Sequence, residues 1–258
     1  MAVGISSDGD YIHRASIPSG TAGTLTAGAF ADFFFGVWCY FPSAGNSHGA
    51  TANGSVFNGV SAAREIRLGK DSQGATYDGP QTIIVWESGT PDESSFSAEP
   101  PFDTWVYIYF TADATDETAG WRSLGSDTWT TATFANNNAG SQYINDLYVG
   151  STATSQALFG HYAYARAVGA VKTTSEALAY SKSSVTETGD WGFWPLADNT
   201  DTGDDSGNGY DFTFGGTLTS ETSPTLDAGP SITSVSGDDV IGATETNWVI
   251  AGSGFGAA

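Results

Sequence analysis

The chain has 258 residues, and its 29 acidic against 8 basic side chains give a net charge of −21. So acidic a surface, with no basic stripe, repels phosphate backbones and anionic bilayers and excludes nucleic-acid binding. Thirty-three glycines, 13% aromatic and 40% hydrophobic residues describe many short strands around a sizeable core and exclude wholesale disorder.

The length fits one β-domain of about 200–250 residues plus the start of another. The opening MAVGISSDGDYIHR has no basic segment followed by an apolar stretch, so no secretory signal is expected. The longest apolar run, residues 29–42, is too short to cross a bilayer and holds Asp32, so no membrane insertion is expected. Cys39, the single cysteine, lies in that run, packs as a small hydrophobe and leaves no intrachain disulfide.

A short strand is expected from Asp10-Tyr11-Ile12, then a dense one over residues 30–41. The second puts Val37, Cys39 and Phe41 on one face, Trp38 and Tyr40 on the other. Residues 43–63, rich in Gly, Ser, Ala and Asn, read as a long loop or weak hairpin, and 64–68 and 81–86 as strands. Residues 88–101 are acidic with three prolines, a loop that cannot join a central sheet. Residues 105–111 alternate Val106, Ile108 and Phe110 with Trp105, Tyr107 and Tyr109. Residues 120–124 and 128–134 predict an exposed hairpin carrying Trp121 and Trp129, with strands following at 144–150 and 159–167. Thr173-x-x-Glu176 is a capping box and predicts one short helix near 174–182. Residues 191–196 form a strand apolar on both faces. An acidic loop and an Asn208-Gly209 turn then lead to a strand alternating Tyr210, Phe212 and Phe214 with Asp211 and Thr213.

Several of these segments carry a family resemblance. Trp194-Pro195-Leu196 followed by Asp204-x-Ser206-Gly207-Asn208-Gly209 resembles a segment of laminin-G-like domains, members of the concanavalin A-like superfamily. Many relatives carry that segment at the start of the domain; here it lies near the end. Asp10-Tyr11-Ile12, FADFFFGVWCYF and INDLYVG resemble further family strands. DTWVYIYF does so with Tyr107 at a position the family gives to His, and FGHYAYARA keeps Gly160 and Arg166 but has Ala163 and Tyr164 for an acidic pair. The resemblance covers residues 8–227. It implies an all-β, concanavalin A-like antiparallel jelly-roll sandwich with one short helix. Residues 230–258, with Ile232, Val235, Trp248-Val249-Ile250 and Gly252-x-Gly254-Phe255-Gly256, resemble the opening strands of a TIG-type immunoglobulin-like domain. The expected organisation is a laminin-G-like domain over 1–227 and a linker with an incomplete immunoglobulin-like segment over 228–258.

Asp198, Asp201, Asp204, Asp205 and Asn208 supply hard oxygen ligands, and laminin-G-like relatives hold calcium at such a rim, so calcium is one reading of the loop. An Asx-turn that shapes the hairpin is the other. The Trp38/Tyr40 and Trp105/Tyr107/Tyr109 faces offer either core packing or a sugar-stacking groove. Trp121 and Trp129 are candidate ligand or subunit contacts, and Trp248 and Phe255 candidate subunit contacts. The superfamily's glycan hydrolases carry Glu-x-Asp-x-x-Glu on one strand, and no such run occurs here.

The expectation is a non-catalytic phage virion surface protein, a capsid decoration or tail-fibre component, made in the host and released by lysis. Its partners would be other virion subunits in a multi-copy assembly and a surface glycan. A secreted bacterial carbohydrate-binding or adhesin module is the second reading, and a glycan hydrolase the third.

Overall fold

The computed structural model describes residues 1–7, 9–14, 33–43, 55–60, 64–69, 82–87, 90–112, 116–135, 146–151, 157–226, 231–236 and 249–253. Strands β1 (Ala2–Ile5), β2 (Tyr11–Arg14), β3 (Phe33–Tyr40), β4 (Ser55–Val60), β5 (Arg64–Gly69) and β6 (Thr82–Glu87) come first. Then follow β7 (Thr90–Ser95), β8 (Trp105–Ala112), β9 (Asp116–Ser123), β10 (Thr130–Ala135), β11 (Asp146–Val149) and β12 (Gly160–Val168). Helix α1 (Thr174–Ser181) precedes β13 (Asp190–Trp194), β14 (Thr213–Gly215), β15 (Thr219–Glu221), β16 (Ser231–Ser236) and β17 (Val249–Ser253).

Two antiparallel sheets hold the domain together. One runs β10-β9-β8-β3-β12-β1-β15, with β13 also on β12; the other runs β14-β2-β11-β4-β5-β6-β7. This is the expected all-β sandwich with a single short helix among the described residues. Val37, Cys39, Val106, Ile108 and Phe110 point from the first sheet into a core shared with Ile12, Phe57, Leu147 and Val149 of the second. Phe35 stacks on Phe57 across the gap with ring centroids 4.2 Å apart, one aromatic pair adding about 0.5–1.5 kcal/mol beyond its buried area.

β12 needs a bulge to serve both faces. Tyr164 takes φ +51, and the register to β3 shifts between Ala163 and Arg166. The extra residue keeps Tyr162, Ala165 and Ala167 in the core while Ala163 and Val168 face outwards.

Helix α1 begins at the predicted capping box. Thr173 Oγ1 accepts the Glu176 N–H, and the Glu176 carboxylate accepts the Thr173 N–H in return. The helix lies on the outer face of the first sheet, where Trp38 Nε1 donates to Ser181 O at 3.0 Å and Phe34 meets Tyr180 at 5.4 Å. Trp38, Tyr107 and Tyr109 are each about 1% exposed beneath it.

Four expectations need correcting. The 43–63 segment contains a true strand, β4, paired to β5 and β11, because Val56 and Phe57 are core residues. Within 88–101 the chain forms β7, which ends its sheet as an edge strand, a place where Pro91 is tolerated. The strands flanking the acidic loop do not form a hairpin: β13 pairs with β12 in one sheet and β14 with β2 in the other. The positive φ values of the turn fall on Gly207 and Gly209, so Asn208-Gly209 is not a two-residue hairpin turn. β1, not anticipated, is a wholly buried strand between β12 and β15.

β16 and β17 pair with one another in a two-stranded sheet. This is all that the described residues contain of the 228–258 segment. Trp248 and Phe255 lie outside the described residues.

Candidate functional site

The acidic loop is scaffolding in its geometry. Asp204 Oδ1 accepts the N–H groups of Phe193 (3.0 Å) and Ser206 (2.9 Å). Its Oδ2 accepts from Ser206 Oγ (2.8 Å) and the Tyr210 N–H (3.1 Å). Asp201 accepts the Ala197 N–H at 2.9 Å, and Asp198 accepts the N–H and hydroxyl of Thr200. The Thr200 donors hold the Asp198 carboxyl below its ordinary range. Asn208 Nδ2 donates to Trp191 O at 2.9 Å, and Asp205 is exposed. Carboxylates turned one by one onto backbone donors are not turned onto one cation. Among the described residues no set of three or more His, Cys, Asp or Glu side chains converges as a metal site, and Asp198, Asp201 and Asp204 are each taken up by N–H or hydroxyl donors. They carry the chain from one sheet to the other, with Trp191 stacked on Tyr210 at 4.4 Å and Trp194 Nε1 donating to Tyr210 O at 2.8 Å.

Trp121 and Trp129 are not brought together. Trp121 leans on the inter-sheet core and donates through Nε1 to Ala98 O at 3.0 Å. Trp129 lies on the opposite face, edge-on to Tyr109 at 4.9 Å and beside the Arg122 guanidinium. Arg122 in turn donates to Ser181 Oγ at 2.8 Å and Ser126 O at 2.6 Å, fastening the sheet to α1.

The outer face is open at one end. Strand register places Trp105, Tyr40, His161, Gly4 and Thr219 side by side across β8, β3, β12, β1 and β15. Tyr40 stacks on His161 at 5.2 Å and 10°, while Trp105 is tilted against both at 5.7 and 6.4 Å. All three rings are partly exposed. Two carboxylates flank them. Glu221 Oε2 lies 3.9 Å from His161 Nε2, and its Oε1 accepts from Thr219 Oγ1 at 2.8 Å. On the other side Asp103 is hydrogen-bonded by Tyr40 and by the Ser43 hydroxyl and N–H, donors that hold its carboxyl below the ordinary range. Burial lowers the His161 pKa, against the pull of Glu221. A mainly neutral imidazole presents one donor and one acceptor.

Gly4 makes this arrangement. A Cβ there would fall 2.3 Å from Thr219 Oγ1 and 2.9 Å from Glu221 Cγ. Without a side chain at position 4, Thr219 and Glu221 can fold over the sheet towards His161. Sequence reasoning placed Tyr40 and Trp105 on candidate faces but passed over His161 and Glu221. His161 was findable, since it alternates with the core residue Tyr162. Glu221 was not, because β15 is a three-residue strand.

Three aromatic rings between two acceptors can take a ligand with apolar C–H faces and hydroxyl rims. Several proteins of known structure are similar to this chain. A candidate carbohydrate-binding protein from Bacteroides ovatus matches with a TM-score of 0.57 at 16% identity, over 86% of this chain and 60% of that one. Domain 4 of an extracellular arabinanase from Geobacillus stearothermophilus, solved with arabinotriose, matches with a TM-score of 0.48 at 14% identity, over 69% and 75%. The enzymatically active domain of tailspike protein 2 from bacteriophage CBA120 matches with a TM-score of 0.40 at 12% identity, over 58% and 23%. The chain thus spans 60% of the length of the Bacteroides protein. No protein-family model and no curated protein sequence matches it.

Proposed function

We propose that this protein is a non-catalytic, glycan-binding surface protein, and that Tyr40, Trp105 and His161 with Glu221 and Asp103 form its binding site. One observation carries the reading. The outer face is sealed by α1 over Trp38, Tyr107 and Tyr109 but left open over a polar-tipped aromatic cluster. Sugar C–H faces stack on the rings, and sugar hydroxyls donate to the carboxylates. The ligand is a neutral glycan, because a net charge of −21 and two local carboxylates repel sulfated or uronic chains. Asp103, held in its ionised form by Ser43, is the opposite of a general acid, which needs a raised pKa.

The chain needs no oxidative crosslink, since its one cysteine is buried in the core. That suits assembly in a host cytosol, and the proposed setting is a phage virion with the protein present in several copies. Residues 228–258 would open a second, immunoglobulin-like module, with Trp248 and Phe255 among the subunit contacts. Mass spectrometry of purified particles tests the setting, where absence of the chain would refute it. Binding to a panel of immobilised neutral and anionic glycans tests the function. Retention of neutral members only is expected, and no retention, or retention of anionic members alone, would overturn it.

A further inference from the structure

The other outer face of the sandwich carries a second cluster of related chemistry. β14, β2 and β11 are neighbours in the second sheet. β2 sends Ile12 into the core, and β11 sends Leu147 and Val149, so by the strand period Tyr11, His13, Asp146 and Tyr148 face outwards. Register sets His13 directly opposite Tyr148 on one side and Thr213 on the other. The His13 and Tyr148 rings stack at 4.0 Å and 9°, and Tyr11 meets His13 edge-on at 6.4 Å. Asp146 Oδ2 lies 3.9 Å from His13 Nε2, and the two side chains are 34% and 16% exposed. Gly215 is opposite Tyr11, and a Cβ there would fall 2.1 Å from the Tyr11 ring. Its missing side chain is what lets that ring lie against the edge strand.

We propose that Tyr11, His13 and Asp146, resting on the buried Tyr148 ring, form a second site for a neutral oligosaccharide, giving each chain one glycan site on each outer face. The choice of ligand class rests on the reading of the Tyr40–Trp105–His161 cluster; the existence of the second site rests on its own geometry. Both clusters join aromatic rings, an imidazole and a carboxylate, the first across β8, β3, β12 and β15 and the second on β2 and β11, and both owe their shape to a glycine beside a larger side chain. Outer faces of a sandwich point away from each other, so the two sites engage separate glycan chains. Two weak contacts to a densely glycosylated surface then multiply, with avidity gains on the order of 10²–10⁴.

Calorimetric titration of the whole chain with cellotriose, xylotriose and mannotriose in turn tests this, trisaccharides being too short to bridge the two faces. The expected stoichiometry is two per chain for the sugar that binds. Trp105→Ala should reduce it to one, and Asp146→Asn or Tyr11→Ala should leave the other one, each weakening its own site at least tenfold. Asp146→Asn is nearly isosteric and keeps the test alive if Tyr11→Ala fails to fold. A purely structural stacked pair predicts a changed melting temperature with unchanged stoichiometry. One site per chain, abolished by Trp105→Ala and untouched by Asp146→Asn, would overturn the second site and leave the first standing. One site abolished only by Asp146→Asn would overturn the two-site arrangement and displace the first reading. No binding of any trisaccharide would overturn both.

Discussion

Replacing Arg166 by Met should destabilise the fold strongly. Arg166 on β12 is 1% exposed and its Nη1 lies 3.5 Å from Asp190 Oδ1, on a side chain with no exposure at all. Its guanidinium also sits 4.7 Å from the rings of both Tyr180 and Phe193 and donates to Val185 O. The residue therefore pins α1, the 183–189 segment and β13 to the sheet. Burial already pushes the Asp190 carboxyl above its ordinary range, against the Glu187 N–H and Arg166 that favour its charge. Taking away the guanidinium leaves that carboxylate buried and unpaired, which costs about 3–5 kcal/mol. In a domain of this size the loss lowers the melting temperature by about 6–20 °C. Replacing both partners, as Arg166→Met with Asp190→Leu, removes the orphaned charge and should return most of it. Calorimetric melts of the two variants measure this. A loss below about 1 kcal/mol, typical of an exposed ion pair, or a double variant no better than the single, would refute the reasoning.

Further outcomes follow from the same geometry. Gly36→Ala would place a Cβ 2.1 Å from the hydroxyl of Tyr107, which is buried under α1 and cannot retreat; urea titration should show a loss of about 1–3 kcal/mol. Chelation should leave the melting temperature unchanged, because the loop carboxylates are engaged by backbone donors; a drop on adding EDTA would show a bound metal. Burial, the larger cause, lowers both His13 and His161 from their ordinary 6.5. Below pH 6.5 the unfolded chain therefore binds protons that the folded chain refuses. Stability should be full above that pH and fall as the pH drops through the folded values, and His13→Gln with His161→Gln should flatten the slope between pH 7 and 5.

Much of the fold was legible because alternation is a strong signal on long strands. Val37, Cys39, Val106, Ile108 and Phe110 announced the core, and Thr173 with Glu176 announced the helix. The short β1 and β15 offered no period to read, and β7 was hidden by its proline. The hairpin expected around Asn208 failed for a different reason. Alternation shows which side chains face inwards but not which sheet a strand joins, and Asp204 fastens the loop so that the chain crosses over. The site was half legible. Trp38 and Tyr40 stand two residues apart on one face with the same pattern, yet Ser181 O caps the Trp38 indole and α1 stops short of Tyr40. Only the tertiary position of α1 separates a core ring from a platform.

The most direct test of glycan binding at the outer face is a titration followed by NMR of the tryptophan indole N–H signals, of which the chain has eight. Adding the neutral oligosaccharide retained from the glycan panel should shift the Trp105 indole and the His161 imidazole signals. Those of Trp121, Trp194 and the 198–208 loop should stay in place, and Trp105→Ala should abolish the response at His161. Shifts confined to the 198–208 loop or to Trp121, with Trp105 and His161 unmoved, would contradict the account.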